Sequence, residues 1–207
     1  RMREQPFGAG VGDVWMGTNE GLCLYDLDRS VFAEHAHPTH PHSLSYGVAI
    51  TDDDHIWNGD EYQISRWNYS DDGDLSPSAD LLEFWSPWPV TLGVDQIDVA
   101  DADAVGEQVW FASTLFGVAR VDVGASTGTS GTALYAEPTT ALAVRAVDSR
   151  TVFVGTDAGL WVLDIATDHI VSLAGTAPFD QPISQLARDI SGSADAMWMA
   201  VPAGLLR

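Results

Sequence analysis

Residues 14–26 read V-W-M-G-T-N-E-G-L-C-L-Y-D, and recognisable copies of this stretch recur to the last residue of the 207-residue chain. The second copy is H-I-W-N-G-D-E-Y-Q-I-S-R-W (55–67), the third Q-V-W-F-A-S-T-L-F-G-V-A-R-V-D (108–122), the fourth T-V-F-V-G-T-D-A-G-L-W-V-L-D (151–164) and the last A-M-W-M-A-V-P-A-G-L-L-R (196–207). The anchoring aromatics Trp15, Trp57, Trp110, Phe153 and Trp198 are spaced by 42, 53, 43 and 45 residues. A period of roughly 40–45 residues with several short strands per unit is the signature of a β-propeller blade.

Within each copy a strand, a tight turn and a second strand follow one another. Gly21, Gly117, Gly159 and Gly204 stand just before the second strand, where a hairpin needs a positive φ that only glycine adopts without steric cost. Apolar runs at 46–51, 94–100, 142–147 and 183–190 precede four of the anchors. They are expected to be innermost strands, covered on both faces. Outermost strands are expected at 31–35, 81–85, 132–137 and 169–174.

The expected fold is all-β: a propeller of four-stranded antiparallel blades over 1–37 (partial), 44–87, 94–137, 141–175 and 183–207 (partial). Residues 1–12 show no good innermost strand and the last copy offers three strands. The sequence therefore predicts an incomplete arc of three whole and two partial blades, with the missing blades of a parent polypeptide as partners. A self-contained five-bladed ring is the structural alternative. Nineteen glycines and ten prolines suit this turn-rich reading, and no run of 18 apolar residues is present to span a membrane.

Thirty Asp and Glu oppose nine arginines and no lysine, a formal charge of −21. Such a field repels nucleic acid and anionic membrane surfaces, so neither is expected as a partner. Much of the Asp excess falls in turns such as 52–54 and 71–74, where solvation accounts for it. Asp71, Asp72 and Asp74 lack the late bidentate carboxylate of a calcium loop. The lone cysteine, Cys23, makes no intramolecular disulfide and reads as a small buried hydrophobe. Residues 34–42, E-H-A-H-P-T-H-P-H, hold four imidazoles. Two prolines prevent a helix that would align them, so a polar connection between blades is favoured over a metal site. No metal and no cofactor is expected.

Residues 31–59 carry this loop into His42-Ser43-Leu44-Ser45, an apolar strand, an acidic turn and Ile56-Trp57-Asn58-Gly59. That order resembles the repeat of the two-component regulator propellers. Trp15-Met16-Gly17-Thr18 with Gly21-Leu22 and Tyr25-Asp26, and Gly155-Thr156 with Gly159-Leu160, resemble the same repeat. The resemblance implies a non-catalytic ligand-binding sensor module, periplasmic or extracellular in a bacterium, forming the input part of a two-component-type signalling protein. A secreted or surface protein-interaction scaffold is the alternative, and a propeller enzyme of lyase or lactonase type the second. Oligosaccharide or another small ligand, or a protein, would be the partner.

The second copy replaces G-T-x-x-G-L by Gly59-Asp60-Glu61-Tyr62-Gln63-Ile64, and the third by Ser113-Thr114-Leu115-Phe116-Gly117-Val118. Asp60, Glu61, Tyr62 and Phe116 are the candidate ligand contacts, with Asn19, Glu20, His40 and His42 at their edge. Aromatic rings offer a stacking surface to a sugar, and carboxylates accept its hydroxyl hydrogen bonds. Catalytic residues are not expected; Asp95, Asp98, Arg145, Gln185 and Arg188 are the polar groups assigned to the innermost strands. No H-E-x-x-H motif occurs.

Overall fold

The computed structural model describes residues 2–4, 13–19, 21–35, 46–51, 55–61, 64–68, 81–85, 99–124, 132–135, 140–148, 150–173, 175, 177–188 and 196–207. Among them there is no helix. The first sheet orders β1 (Met2–Glu4), β2 (Val14–Thr18), β3 (Gly21–Asp26) and β4 (Val31–His35); the second β5 (Gly47–Ile50), β6 (His55–Gly59), β7 (Ile64–Asn68) and β8 (Leu81–Trp85). The third holds β9 (Val99–Val105), β10 (Gln108–Ser113), β11 (Gly117–Asp122) and β12 (Thr132–Tyr135), and the fourth β13 (Ala141–Ala146), β14 (Thr151–Thr156), β15 (Gly159–Asp164) and β16 (His169–Ser172). The fifth has three strands, β17 (Gln185–Arg188), β18 (Met197–Val201) and β19 (Gly204–Leu206). All pairings are antiparallel between sequence neighbours, which short hairpin connections permit.

Two expectations are corrected. Residues 1–12 do supply an innermost strand: Met2, Arg3 and Glu4 pair with Met16, Trp15 and Val14. No apolar run marks β1; it is fixed by the strand it pairs with. The innermost strand of the third sheet runs on to Val105, past the expected end at 100, because the alternating run V-A-D-A-D-A-V is what pairs with β10; the expected residues 94–98 lie outside the described residues. The outer strands β4 and β8 fall where the sequence placed them.

The turn glycines behave as their position demands. Gly21, Gly117, Gly159 and Gly204 have φ of 115°, 80°, 125° and 131°, a region that side chains rarely enter.

The core lies between sheets rather than within any one of them. Trp15, Leu22 and Leu24 of the first sheet pack on Val48, Ile56 and Trp67 of the second. Trp57 and Ile64 pack on Val99, Val109 and Phe111 of the third, and Trp110, Val118 and Tyr135 pack on Val144, Val152, Val154 and Leu163 of the fourth. In the last seam Ala143 and Leu160 meet Ile183, Leu186, Met199 and Val201. The recurring aromatic thus points onto the next sheet in the first four sheets. Trp15, Trp57 and Trp110 are buried to 2% exposure or less, so truncating any of them to Ala should cost roughly 3–5 kcal/mol. Cys23 is buried on β3, as expected.

Candidate functional site

The turn between the second and third strands of each sheet lies on one face of the arc, and four of the five turns are short. Thr18 pairs with Gly21, Thr156 with Gly159 and Val201 with Gly204, leaving two turn residues each, while Ser113 pairs with Gly117 across three. A hydroxyl staples three of them. Thr18 Oγ1 donates to the Gly21 carbonyl and Thr156 Oγ1 to that of Gly159, both at 2.8 Å, and Ala158 N donates to Thr156 Oγ1 at 3.1 Å. Ser113 Oγ accepts from the N–H groups of Leu115 and Phe116, both at 3.1 Å.

The second sheet departs from this rule. Gly59 pairs with Ile64, so four residues separate the paired ends, and Asp60 stands where three of the other sheets carry the stapling hydroxyl. Asp60 is only 1% exposed, and its carbonyl accepts the Val99 N–H at 3.1 Å. Glu61 is half-buried beside it. Phe116, half-buried in the turn of the third sheet, packs against the cluster that contains Val99 and Ile64. The fold therefore brings Asp60 and Phe116 to the same seam, around Val99. Phe116 is part of the seam's lid as well as a surface ring, and Leu115 next to it is 49% exposed. Asn19 is exposed on the first sheet's turn. Tyr62, Glu20, His40 and His42 lie outside the described residues, as does the rest of the histidine loop from 36 to 42.

Around the axis, the innermost strands hold a different kind of polar group. Asp103 Oδ1 accepts from Arg145 Nη1 at 2.7 Å and its Oδ2 from the Ala146 N–H at 2.9 Å, while Asp101 Oδ2 accepts from the Val144 N–H at 3.2 Å. Arg145 Nη2 donates to the Leu186 carbonyl at 3.1 Å. Two carboxylates on β9 thus meet edge N–H groups of β13 that no strand pairs, and one guanidinium joins β9, β13 and β17. Edge donors buried without a partner would each cost about 1–3 kcal/mol. Asp101 and Asp103 were missed in the sequence because the strand was placed too early; the alternation V-A-D-A-D-A-V was the available signal. Asp95 and Asp98 lie outside the described residues, and Gln185 and Arg188 are exposed on β17. Among the described residues no group of three or more His, Cys, Asp or Glu side chains is placed to hold a metal ion.

A cavity of about 530 Å³ opens between the fourth and fifth sheets, lined mainly by apolar side chains that include Phe153, Leu160, Phe179 and Met197.

No protein-family model matches the chain, and no curated protein matches it. Solved structures do. The extracellular domain of a protein named as a hybrid two component system from B. thetaiotaomicron superposes with a TM-score of 0.67 at 16% identity, over 93% of this chain and 25% of that one. Streptogramin B lyase gives a TM-score of 0.66 at 14% identity, over 93% of this chain and 59% of its own. This chain is an arc of a β-propeller. Catalytically inactive virginiamycin B lyase from Staphylococcus aureus aligns similarly, with a TM-score of 0.64 at 13% identity over 91% of this chain and 59% of the lyase. Identities this low carry the fold alone, and the chain spans a quarter of the length of the extracellular domain it matches.

Proposed function

We propose that this propeller arc belongs to a non-catalytic ligand-binding sensor module on the extracytoplasmic side of a bacterial cell, the input part of a two-component-type signalling protein. The observation that carries the reading is the engagement of the axial charges: Arg145, Asp101 and Asp103 are held in hydrogen bonds between sheets. Groups fixed in this way join blades; a propeller enzyme would aim its polar groups at a substrate near the axis. The likeness to extracellular domains of two-component proteins supports the cellular setting.

The ligand face in this reading is that of the long 60–63 turn, with Glu61, Tyr62 and Phe116 as its contacts and Asp60, expected among them, buried in the seam behind. Carboxylates beside aromatic rings suit an oligosaccharide or another hydroxyl-rich ligand. A glycan array probed with the protein and with its Tyr62→Ala and Phe116→Ala variants tests the assignment. Loss of a glycan signal in either variant supports this face, and unchanged binding in both removes it. The lyase reading has the fold likeness as its support; tightly bound, stoichiometric metal in the purified protein would replace the sensor reading with it.

A further inference from the structure

The seams between sheets are filled by large rings from both sides, except the last. Trp15 shares its cluster with Trp67, Trp57 with Phe111, and Trp110 with Trp161. Between the fourth and fifth sheets the anchor is the smaller Phe153, and the facing strand β18 brings Met197 and Met199. The third-strand cover changes as well. Arg66 lies 5.5 Å over Trp57 and Arg120 5.9 Å over Trp110, each opposite the ring, whereas Val162 stands opposite Phe153. A smaller anchor facing two unbranched thioethers does not close the seam, and the cavity of about 530 Å³ is what remains.

Its lining defines what fits. Phe153, Leu160, Phe179, Met197 and Met199 supply apolar surface, and a volume of this order matches pockets that enclose small ligands. Methionine side chains adapt their shape to what enters. In a chain with thirty acidic residues against nine arginines, the charged members of this lining, among the described residues, are Arg188 and Arg207. The Arg207 guanidinium lies 5.7 Å over Trp198, which alternates with the two methionines along β18 and so belongs to the other face of that sheet. Arg188 pairs with Met197 and therefore shares the cavity's face. β17 starts beside the β14–β15 turn, where the Ile183 N–H donates to the Thr156 carbonyl, and runs away from that turn to Arg188, which is exposed.

We propose that this cavity is a binding site for a single-chain aliphatic carboxylate, its tail between the fourth and fifth sheets and its head group on Arg188. The tail gains by leaving water, and the planar fork of the guanidinium matches the two oxygens of a carboxylate. The site is two seams away from the 60–63 turn, so it stands or falls independently of glycan binding there.

Isothermal titration of the protein with decanoate, kept below the concentration at which it self-associates, tests the site. Decanoate should bind with one-to-one stoichiometry, and octanoate about tenfold more weakly for its two missing methylenes. Decanol, with the same tail and no charge, should bind about fivefold or more weakly than decanoate. Arg188→Gln should lower decanoate affinity about five- to tenfold and leave decanol binding unchanged, with partial recovery in Arg188→Lys. Phe153→Trp, which returns the indole of the other seams, should abolish binding of both while keeping or raising the thermal midpoint; Met197→Phe fills the cavity from the facing sheet should that variant fail to fold. Absence of saturable heat with decanoate, decanol bound as tightly as decanoate, or undiminished binding in the folded cavity-filling variant would overturn the proposal. Loss of decanol binding together with decanoate binding in Arg188→Gln would also overturn it, since the arginine would then be shaping the seam and not receiving a head group.

Discussion

Arg145 and Asp103 meet across the seam between the third and fourth sheets, Nη1 to Oδ1 at 2.7 Å, with 15% and 11% of their side chains exposed. Neither is exposed enough to behave as a surface ion pair, and each also bonds backbone: Arg145 the Leu186 carbonyl, Asp103 the Ala146 N–H. Removing one partner leaves the other charge largely buried, which is more costly than the pair is stabilising. Arg145→Ala is expected to destabilise by about 3 kcal/mol in denaturant unfolding, and Arg145→Ala with Asp103→Ala by less than the two singles together. Additive losses would show that the two groups act separately.

Gly155 and Gly59 are glycine for lack of room. A Cβ on Gly59 would stand 2.4 Å from Val99 Cγ1, and one on Gly155 2.6 Å from the Ile183 carbonyl oxygen. Gly59→Ala should cost about 1–3 kcal/mol, largely recovered by Val99→Ala in the same chain. Gly155→Ala meets backbone, so Ile183→Ala should recover little. Equilibrium unfolding of the four variants distinguishes a side-chain clash from a backbone one.

Gly159, four residues on, is glycine for a different reason. Its φ of 125° lies outside the left-handed region that Asn tolerates, so Gly159→Ala and Gly159→Asn should each cost about 1–3 kcal/mol. A milder loss for Asn would mean that the turn relaxes into the left-handed region.

Tyr135 has an acidity that departs clearly from the usual phenol range. Burial, and then its hydrogen bond to Asp168 Oδ1 at 2.6 Å, push the phenol from 10.0 up to about 12. Because the folded pKa is raised above the unfolded one, the stabilisation is fully present below pH 10 and is lost as pH rises towards 12. The bond ties the third sheet to the β15–β16 turn of the fourth, so thermal midpoints should fall between pH 10 and 12. Tyr135→Phe should be less stable at pH 8, by about 1 kcal/mol for the lost hydrogen bond, and should show a shallower alkaline fall. Parallel alkaline slopes in the two proteins would remove Tyr135 as the cause.

The sequence was most legible where structure is local. The outer strands Val31–His35 and Leu81–Trp85 and the four turn glycines follow from alternation and φ requirements within a few residues. β1 was not legible, because Met2–Glu4 has no apolar pattern and becomes a strand by pairing with β2. On the candidate site, Asp60 and Phe116 stood out because their turns break the repeat, but their meeting around Val99 depends on how two sheets pack.

The sequence by itself determined the repeat, its period and therefore the stacking of small antiparallel sheets, since each unit hides its apolar flank only against a like neighbour. Only the tertiary structure decided the partners of the charged groups. Whether Asp101, Asp103 and Arg145 face solvent or edge N–H groups depends on the lateral register of one innermost strand against the next. That register is set by side-chain volumes across the seams, such as Gly155 beneath Ile183, and these act between residues far apart in the chain.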